Sequence, residues 1–251
     1  MDQLKNQAIL VTGASKGIGK AIAEHLLTNG SRVGIHYNSD RASAEALLNN
    51  TKNDSAIFSA NLESEEDTVK LFESVRDHFE KIDTIVINAG VFLEHSIDLS
   101  TEQWLQTWHK TMAINLTSAG ILTKLGLDHF KRQGGGRFIY IGSRAVFCGE
   151  TEEYLAYAAS KGGLTSLARS VARSFGKQNI KSFIVSPGFT RTQMAEQFVN
   201  AYGEERILSE IALNQLTTPE DLAPLVGLMC SGQMDHATGA TIDVNAGSHI
   251  R

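Results

Sequence analysis

Cysteine and proline are scarce in this sequence of 251 residues, and long hydrophobic runs are missing. Two cysteines, Cys148 and Cys230, are too few for a disulfide framework, so we expect a reducing compartment, the cytoplasm. The chain has only three prolines and no Ser/Pro-rich linker, which predicts a single domain over residues 1–251. No apolar run approaches the roughly 20 residues that span a membrane, and the first residues do not form a signal segment, so no membrane partner is expected.

An excess of positive charge is also missing. The net charge is −5 at pH 7, whereas a general nucleic-acid binder shows a basic field, so no nucleic-acid partner is expected. The eight histidines form no H-x-x-x-H pair and have no neighbouring cysteine, so no metal site is predicted. Hydrophobic residues make up 42% of the chain and charged residues 20%, which is typical of a globular enzyme with a substantial core.

The chain does contain a regular alternation of short apolar strands and amphipathic helices. Strands are predicted at residues 8–11, 32–37, 55–60, 84–88, 137–141, 181–185 and 241–244. Helices are predicted at residues 17–28, 42–50, 65–79, 102–132, 156–175 and 219–230, and the glycine run at residues 134–136 predicts a turn. This alternation predicts an α/β, single-domain Rossmann fold, with a doubly wound, mostly parallel seven-stranded sheet and helices on both faces.

A glycine-rich turn with the sequence T-G-A-S-K-G-I-G follows the first predicted strand, at residues 12–19. Gly13 and Gly19 permit tight turning and close helix–strand contact, and Gly17 lets the backbone approach a pyrophosphate. The N–H groups at the start of the next helix favour the same anion. The turn therefore predicts a dinucleotide site, with an ordinary tight turn between strand and helix as the alternative.

Tyr157 and Lys161 are four residues apart in a predicted helix, so they lie on one face and one turn from each other. An ammonium group beside a phenol favours the phenolate, which predicts a lowered pKa for Tyr157 and a role in proton transfer. An ordinary helix surface is the alternative. The pair and the glycine pattern would each arise by chance roughly 0.2 times at this composition, so their combination carries the argument.

Further motifs in the same order resemble the classical short-chain dehydrogenase/reductase family over essentially the whole chain. The matching segments are the glycine turn at residues 12–19, Asn88-Ala89-Gly90, and Pro187-Gly188 with Thr192. The resemblance implies a Rossmann fold and oxidoreduction of alcohols and carbonyls with a nicotinamide cofactor.

The same resemblance implies a catalytic tetrad of Asn115, Ser143, Tyr157 and Lys161. Tyr157 would protonate the carbonyl oxygen, Ser143 would hold that oxygen, and Lys161 would bind the nicotinamide ribose. Asn115 would anchor a water molecule that links Lys161 to solvent. The segment between Ser143 and Tyr157 is one residue longer than is common in the family. We expect this small insertion, around residues 148–150, to reshape the substrate pocket.

Two residues near the insertion have open assignments. Cys148 is expected to be either a packed thiol or a part of the site. The phenol of Tyr154 is expected to be a wall of the substrate pocket and not a base.

The end of the second strand predicts a preference for NADP(H) over NAD(H). Tyr37 stands where NAD-preferring relatives carry an aspartate, so no carboxylate there repels a 2′-phosphate. Lys16, Asn38, Ser39 and Arg41 offer donors to that phosphate, with a solvated loop lysine as the alternative for Lys16. The full set of expected cofactor-binding residues is Gly13, Ser15, Lys16, Gly17, Ile18, Gly19, Tyr37, Asn38, Ser39, Asn61, Leu62, Asn88, Ala89, Gly90, Tyr157, Lys161, Pro187, Gly188, Thr190 and Thr192.

For the substrate, the chain looks most like bacterial 3-oxoacyl-[acyl-carrier-protein] reductases. This likeness implies reduction of 3-oxoacyl thioesters and an acidic acyl carrier protein as partner. A basic patch of Lys131, Arg132 and Lys177 would meet the carrier, or is an ordinary solvated face. The alternatives are reduction or oxidation of another secondary alcohol or ketone, such as a sugar, steroid or xenobiotic, and a non-catalytic NADP(H)-binding sensor.

Two expectations concern larger features of the molecule. Residues 190–212 are expected to form a lid over the substrate. Its apolar residues, which are equally compatible with ordinary helix packing, are Met194, Phe198, Tyr202, Ile207 and Ile211. The apolar faces of the predicted helices at residues 102–132 and 156–175, together with the resemblance, imply a homotetramer.

Overall fold

The seven predicted strands all form and join one parallel sheet. The computed structural model describes residues 2–49, 51, 53–192 and 203–250. The strands are β1 (Ala8–Val11), β2 (Arg32–Tyr37), β3 (Ala56–Ser59), β4 (Thr84–Ile87), β5 (Gly136–Ile141), β6 (Ile180–Pro187) and β7 (Thr241–Val244). Their order across the sheet is β3-β2-β1-β4-β5-β6-β7, and each neighbouring pair is parallel. The predicted architecture is confirmed.

Helices cover both faces of this sheet. They are α1 (Gly17–Thr28), α2 (Arg41–Leu48), α3 (Glu65–Phe79), α4 (Thr101–Met112), α5 (Ser118–Gln133), α6 (Ala145–Cys148), α7 (Leu155–Phe175), α8 (Glu204–Ser209) and α9 (Pro219–Cys230). One hydrophobic cluster packs α1 and α9 against the sheet, and a second packs α3, α5 and α7 against the other face. Because both faces are covered, β1 and β4 are buried at all four of their residues. A search of the described residues finds no helix with the length and apolarity to cross a membrane.

The single helix predicted over residues 102–132 is wrong, because the structure divides it. A π-helical turn occupies Ala113–Thr117, between α4 and α5. Asn115 lies in this turn, and its side chain is bonded to the backbone of Val91 in a neighbouring loop. Apolar periodicity does not distinguish a π turn from an α turn, and π turns concentrate at functional sites.

Local signals explain where most of the helices begin and end. Ser64 and Ser100 cap α3 and α4 by accepting hydrogen bonds from backbone N–H groups in the first turn. Thr218 forms a capping box at the start of α9. Gly134 ends α5 with φ of 87°, as expected for the predicted glycine turn. In contrast, Lys16 precedes α1 without any side-chain cap.

Candidate active site

The site lies at the carboxyl edge of the sheet, where β1 has β2 on one side and β4 on the other. The chain leaves these neighbouring strands toward opposite faces, which opens a crevice beyond the strand ends. The predicted site residues lie in the segments that follow β1, β2, β3, β4, β5 and β6. The topology therefore brings together residues that are far apart in sequence.

The glycine turn after β1 is held too tightly to accept side chains. A Cβ added at Gly19 would lie 2.2 Å from the carbonyl oxygen of Gly13 and 2.4 Å from Nδ2 of Asn88. Gly13 has φ of 65°, and its added Cβ would lie 3.0 Å from Cα of Ala89. The start of α1 is therefore in close contact with both the turn and the segment after β4.

Thr12 and Asn88 join the turn to the segment that follows β4. The hydroxyl of Thr12 accepts hydrogen bonds from the backbone N–H groups of Asn88 and Ala89, at 2.9 and 3.0 Å. In return, Nδ2 of Asn88 donates to the carbonyl oxygens of Thr12, at 2.8 Å, and Gly13, at 3.2 Å. Asn88, which was predicted to bind the cofactor, therefore holds the glycine turn in place through these hydrogen bonds.

His36 is a further positioning residue, which the sequence analysis missed. Its Nδ1 accepts a hydrogen bond from the backbone N–H of Gly13 at 2.9 Å, and its Nε2 faces the carbonyl oxygen of Ala60 at 3.2 Å. Its own carbonyl oxygen accepts from Ala14 N at 2.8 Å. Burial lowers the pKa of His36 to about 4, so the ring is neutral at pH 7 and Nδ1 stays an acceptor. The only sequence signal was a polar residue inside an apolar strand.

We predict that His36→Leu loosens the glycine turn, because the Gly13 N–H loses its buried acceptor. The expected loss is about 1–3 kcal/mol of unfolding free energy, measured by urea denaturation, with weaker NADPH binding. The folded-state pKa lies below the unfolded value of 6.5, so the stabilisation is complete above pH 6.5 and falls toward pH 4. Across that window the wild type should therefore lose about 3 kcal/mol of stability that His36→Leu does not lose, so the difference should vanish or reverse near pH 4. A constant difference would contradict the role of His36.

The N-terminus of α1 is suited to bind an anion. Its first turn contains no acidic residue, and the side chain of Lys16, which precedes the helix, does not cap its backbone N–H groups. Ile18 lies in this turn and packs against the core beneath it, while Ser15 is buried in the preceding turn. A Cβ added at Gly17 would lie 3.4 Å from Cγ2 of Thr192, so the segment after β6 closes over the same helix end. These groups form the two sides of a cleft that fits a pyrophosphate.

The end of β2 is rich in donors at the surface. Tyr37 is buried, whereas Lys16, Asn38 and Ser39 expose their side chains. Asp40 lies beside them, but its carboxylate caps α2 by accepting from Ser43 N at 3.0 Å. Hydrogen bonds from Ser43 lower the pKa of Asp40, and the charge of Lys16 adds to the effect.

Arg41 is less available to a ligand than the sequence analysis expected. It pairs with Glu45 at 2.7 Å and hydrogen-bonds the side chain of Tyr37. Among the described residues, Lys16 is in no ion pair, although its charge lowers the pKa of Asp40.

The segment after β3 contains the two residues expected beside an adenine. Leu62 is buried, with 6% of its surface exposed. Asn61 is exposed, and its Oδ1 accepts a hydrogen bond from Glu63 N at 3.1 Å, which folds a local turn. The Asn61 side chain is thus partly committed to its own loop.

Ser143, Tyr157 and Lys161 meet at the end of β5 and the start of α7. Ser143 is buried and its side chain hydrogen-bonds that of Tyr157. Lys161 is 4% exposed, donates from Nζ to Ile141 O at 2.8 Å, and lies 5.8 Å from the centre of the Tyr157 ring. The arrangement places a hydroxyl, a phenol and an ammonium group side by side.

Asn115 faces the same space from the π-helical turn. Its Oδ1 accepts from Val91 N at 2.8 Å, and its Nδ2 donates to Val91 O and to the hydroxyl of Ser160. A Cβ added at Gly90 would lie 3.3 Å from Oδ1 of Asn115 and 3.4 Å from Nζ of Lys161. Gly90 therefore leaves open a small polar space between these two side chains.

The predicted lowering of the Tyr157 pKa is wrong for the protein by itself. Burial raises the pKa of Tyr157 to about 12, the hydrogen bond with Ser143 opposes that rise, and the charge of Glu150 adds to it. Lys161, whose Nζ lies 5.8 Å from the centre of the Tyr157 ring, does not reverse this rise. Burial also lowers the pKa of Lys161 to about 8. At neutral pH, Tyr157 is therefore a neutral proton donor beside a charged lysine.

His95 fixes the start of α7 and was also missed by the sequence analysis. Its Nε2 accepts a hydrogen bond from Ala156 N at 3.1 Å, and its backbone N–H donates to Glu153 O at 2.9 Å. The residue is fully buried against Trp104, and burial lowers its pKa. Because Ala156 directly precedes Tyr157, His95 helps to set the position of the Tyr157 phenol.

Aromatic rings line the space in front of Tyr157. Phe92 stacks on Tyr154 with ring centres 3.8 Å apart and meets the edge of Tyr157 at 4.7 Å. Tyr154 therefore lies beside Tyr157, as expected of a pocket wall. Cys148 is exposed at the end of α6, so the expectation of a packed thiol is wrong.

The segment after β6 borders the site on the other side. Pro187 ends the strand, and Gly188 donates to Val244 O at 3.1 Å. A Cβ added at Gly188 would lie 2.7 Å from Cβ of Asn245, so glycine is required for this approach. Thr190 is buried and pairs with Thr217 in an isolated bridge. Of the expected lid at residues 190–212, residues 193–202, with Met194, Phe198 and Tyr202, lie outside the described residues, whereas Ile207 is buried in α8.

The predicted basic patch is not part of this cleft. Lys131 and Arg132 lie in the last turn of α5, just before β5 begins, and Lys177 lies just before β6. These are the amino ends of the strands, whereas Ser143 follows the carboxyl end of β5. The six residues of β5 span about 20 Å, so the patch lies at the opposite edge of the sheet.

Known proteins resemble the chain over nearly its whole length. The family model described as Enoyl-(Acyl carrier protein) reductase matches residues 13–249. The 3-oxoacyl-[acyl-carrier-protein] reductase FabG of Aquifex aeolicus is 32% identical over 252 residues, covering 98% of this chain and 98% of that protein. FabG of Vibrio cholerae is 30% identical over 247 residues, covering 98% and 99%.

Proteins with other names are similar to a comparable degree. Dehydrogenase/reductase SDR family member 4 of Caenorhabditis elegans is 30% identical over 258 residues, covering 99% of this chain and 97% of that protein. A solved structure of a short chain dehydrogenase from Burkholderia cenocepacia in complex with NADP matches with a TM-score of 0.89 at 26% identity, covering 98% and 99%. The FabG names state a substrate, whereas the names of the Caenorhabditis and Burkholderia proteins state none.

Proposed function

The chain belongs to the short-chain dehydrogenase/reductase family of oxidoreductases acting on alcohols and carbonyls, and from that premise we propose that it is an NADPH-dependent ketoreductase of 3-oxoacyl thioesters. The observation that carries the proposed chemistry is the meeting of Ser143, Tyr157 and Lys161 at the carboxyl edge of the sheet. The glycine turn and the uncapped start of α1 lie in the same crevice and support a dinucleotide beside them.

In the proposed mechanism the chain positions the carbonyl and moves one proton, while the bound cofactor supplies the hydride. Ser143 donates a hydrogen bond to the carbonyl oxygen and stabilises the charge that develops there. Tyr157 gives its phenolic proton to the same oxygen, and Lys161 stabilises the phenolate that remains. The polar space beside Gly90, between Asn115 and Lys161, fits a water molecule through which Lys161 exchanges protons with solvent.

Reduction should slow as pH rises through about 8, because Lys161 then loses the charge that stabilises the phenolate of Tyr157. The expectation follows from burial, which lowers the pKa of Lys161 to about 8. The measurement is kcat for ketone reduction from pH 6 to pH 10 with saturating NADPH. Lys177→Gln, an exposed lysine at the far edge, is the control and should keep the inflection. A rate that is constant to pH 10 would contradict this role of Lys161.

We propose that NADP(H) is preferred over NAD(H). Tyr37 ends β2 without offering a carboxylate, the acid Asp40 is committed to capping α2, and Lys16 carries an available positive charge. The NADP complex of the Burkholderia relative supports the same preference. Lys16→Ala should therefore weaken NADPH binding and leave NADH binding nearly unchanged, as measured by fluorescence titration with both cofactors.

The test of the substrate is NADPH oxidation at 340 nm with acetoacetyl-CoA, beside a panel of small ketones. Turnover with the thioester would support the proposal, which rests on the FabG relatives. Turnover of small ketones alone would move the function to another carbonyl substrate. Absence of turnover with every carbonyl tested, with cofactor still bound, would favour the non-catalytic sensor.

We also propose an acyl carrier protein as partner and a homotetramer as the assembly. The basic patch of Arg132 and Lys177 lies at the edge of the sheet away from Ser143. Changing its charges therefore tests binding of the carrier protein without altering the residues proposed to carry out the reaction. Reversing both charges should raise KM for the acyl carrier protein substrate and leave KM for acetoacetyl-CoA unchanged. Equal effects on the two KM values would exclude the patch as the surface that binds the carrier. Light scattering should give a particle of four chains.

A further inference from the structure

A partly buried guanidinium that makes no hydrogen bond to the described residues belongs to the residue that follows Ser143. Arg144 directly follows Ser143, and 17% of its side chain is exposed. Among the described residues, no side chain or backbone carbonyl accepts a hydrogen bond from its guanidinium. In contrast, the similarly buried Arg137 makes two hydrogen bonds to Asp235, at 2.8 and 2.9 Å. A guanidinium has five donors, and no nitrogen of Arg144 is among the buried, unpaired side-chain atoms of the described residues, so these donors can be reached by solvent or by a ligand.

The side chains of Phe189 and Glu210 lie next to the guanidinium, but neither accepts a hydrogen bond from it. Its central carbon lies 4.3 Å from the centre of the Phe189 ring, and Phe189 directly follows the Pro187-Gly188 segment that borders the site. The carboxylate of Glu210 lies 4.0 Å from Nη2, outside hydrogen-bond distance, and half of the Glu210 side chain is exposed. The ring fixes the plane of the guanidinium, and the donors remain available to a ligand.

The charge of Arg144 is also linked to Tyr157, through the carboxylate of Glu150. The charge of Arg144 opposes the rise that burial imposes on the pKa of Glu150. The charge of Glu150 in turn raises the pKa of Tyr157. The charge of Arg144 therefore acts on Glu150 and that of Glu150 on Tyr157, and Arg144 directly follows Ser143 in the chain.

We propose that Arg144 binds a carboxylate on the substrate, so that the enzyme prefers ketones with an acidic group over neutral ketones of the same shape. The proposal rests on the proposed carbonyl reduction and requires no thioester. The planar fork of a guanidinium matches the two oxygens of a carboxylate, and such charge-assisted bonds are the strong ones in proteins. The acid is carried either by a free keto acid or by the acyl chain of a thioester.

The test compares acids with their esters. Wild type is assayed with NADPH against 4-oxopentanoate and its methyl ester, and against acetoacetate and its ethyl ester. At least one acid should have the higher kcat/KM. In Arg144→Met the acid-to-ester ratio of kcat/KM should fall by about 10- to 100-fold, and Arg144→Lys should restore part of it. Preference for the ester in both pairs, or an unchanged ratio in Arg144→Met, would overturn the proposal.

Two further variants separate substrate binding from other roles of Arg144. Glu210→Gln removes the carboxylate nearest to the guanidinium and should raise the acid-to-ester ratio by about twofold or more. If Arg144 served only to hold the Glu210 segment, Arg144→Met and Glu210→Gln would lower acid and ester turnover alike, and the proposal would fail. Arg173→Met, at an exposed position on α7, should leave the ratio unchanged.

A binding measurement distinguishes failure of this proposal from failure of the proposed function. The NADPH-bound protein is titrated with 4-oxopentanoate by calorimetry, in wild type and in Arg144→Met. If wild type reduces none of the four ketones, carbonyl reduction of this class is wrong. Saturable binding that weakens at least tenfold in Arg144→Met would still support the carboxylate site, and absence of binding to wild type would overturn it.

To compare carboxylate sources, the same titration uses 3-oxoglutaryl-CoA and acetoacetyl-CoA, whose acyl chains differ by a terminal carboxylate. Tighter binding of the former, lost in Arg144→Met, would assign the acid to the acyl chain of a thioester. Tight binding of 4-oxopentanoate with no difference between the thioesters would assign it to a free keto acid. Equal binding of every acid and its neutral counterpart would overturn the proposal.

Discussion

Tyr157→Phe is expected to reduce kcat for ketone reduction by about 10²- to 10⁴-fold, the usual contribution of a positioned general acid. The change removes only the hydroxyl, so the ring should keep its contact with the edge of Phe92. The proton would then have to come from solvent, because Ser143 is the remaining hydroxyl bonded at that point and a serine hydroxyl is a far weaker acid than a phenol. The measurement is single-turnover NADPH oxidation, which isolates the chemical step.

Tyr140→Phe is the matched control for removal of a phenolic hydroxyl. Tyr140 is fully buried in β5 and its hydroxyl is bonded to Thr123 at 2.8 Å, away from the crevice. This variant should lose about 1 kcal/mol of stability and keep its kcat. NADPH binding should survive in Tyr157→Phe. If that variant kept more than about a tenth of the wild-type kcat, another group would be the acid.

Gly19→Ala is expected to weaken NADPH binding by about 100-fold or more, since small displacements of a binding loop have effects of that size. The added methyl group would lie 2.2 Å from Gly13 O and 2.4 Å from Nδ2 of Asn88, both of which are fixed by hydrogen bonds to the turn. The start of α1 must therefore move away from β1. Overpacking of this kind also costs about 1–3 kcal/mol of stability.

The control for Gly19→Ala is Gly120→Ala. Gly120 also lies in a helix, but a Cβ added there meets no atom within 4 Å. Its replacement should stabilise α5 by about 0.5–1 kcal/mol and leave cofactor binding intact. Fluorescence titration with NADPH, together with thermal unfolding of both variants, measures the two effects separately. Equal cofactor affinity in both variants would mean that the turn tolerates displacement.

The elements predicted best are those bounded by local chemistry. β1 and α1 were predicted with their observed ends, because a buried apolar run leads into a glycine turn and then into strong helix formers. The start of α9 was equally clear from Pro219 after Thr218. By contrast, the π-helical turn at Ala113–Thr117 depends on Asn115 reaching Val91, a contact between distant segments that no local pattern encodes.

In the site, too, features set by neighbours in the sequence were predicted, whereas features set by tertiary contacts were not. The proximity of Tyr157 and Lys161 follows from helical spacing and is confirmed. The direction of the Tyr157 pKa was predicted wrongly, because burial depends on what the rest of the fold places around the phenol. His36 and His95 were missed for a similar reason. Each acts on a backbone N–H of another segment, and neither belongs to a recognisable motif.

The π-helical turn makes the chain intolerant of changes in length at one place. Such a turn holds one residue more than an α turn, and each residue rotates a helix by about 100°. Deleting one residue from Ala113–Thr117 would fuse α4 and α5 into a continuous helix, withdraw Asn115 from Val91, and rotate Trp104 away from His95. Single-residue deletions in this turn should therefore break both contacts, whereas an exposed turn can gain or lose residues without changing any register.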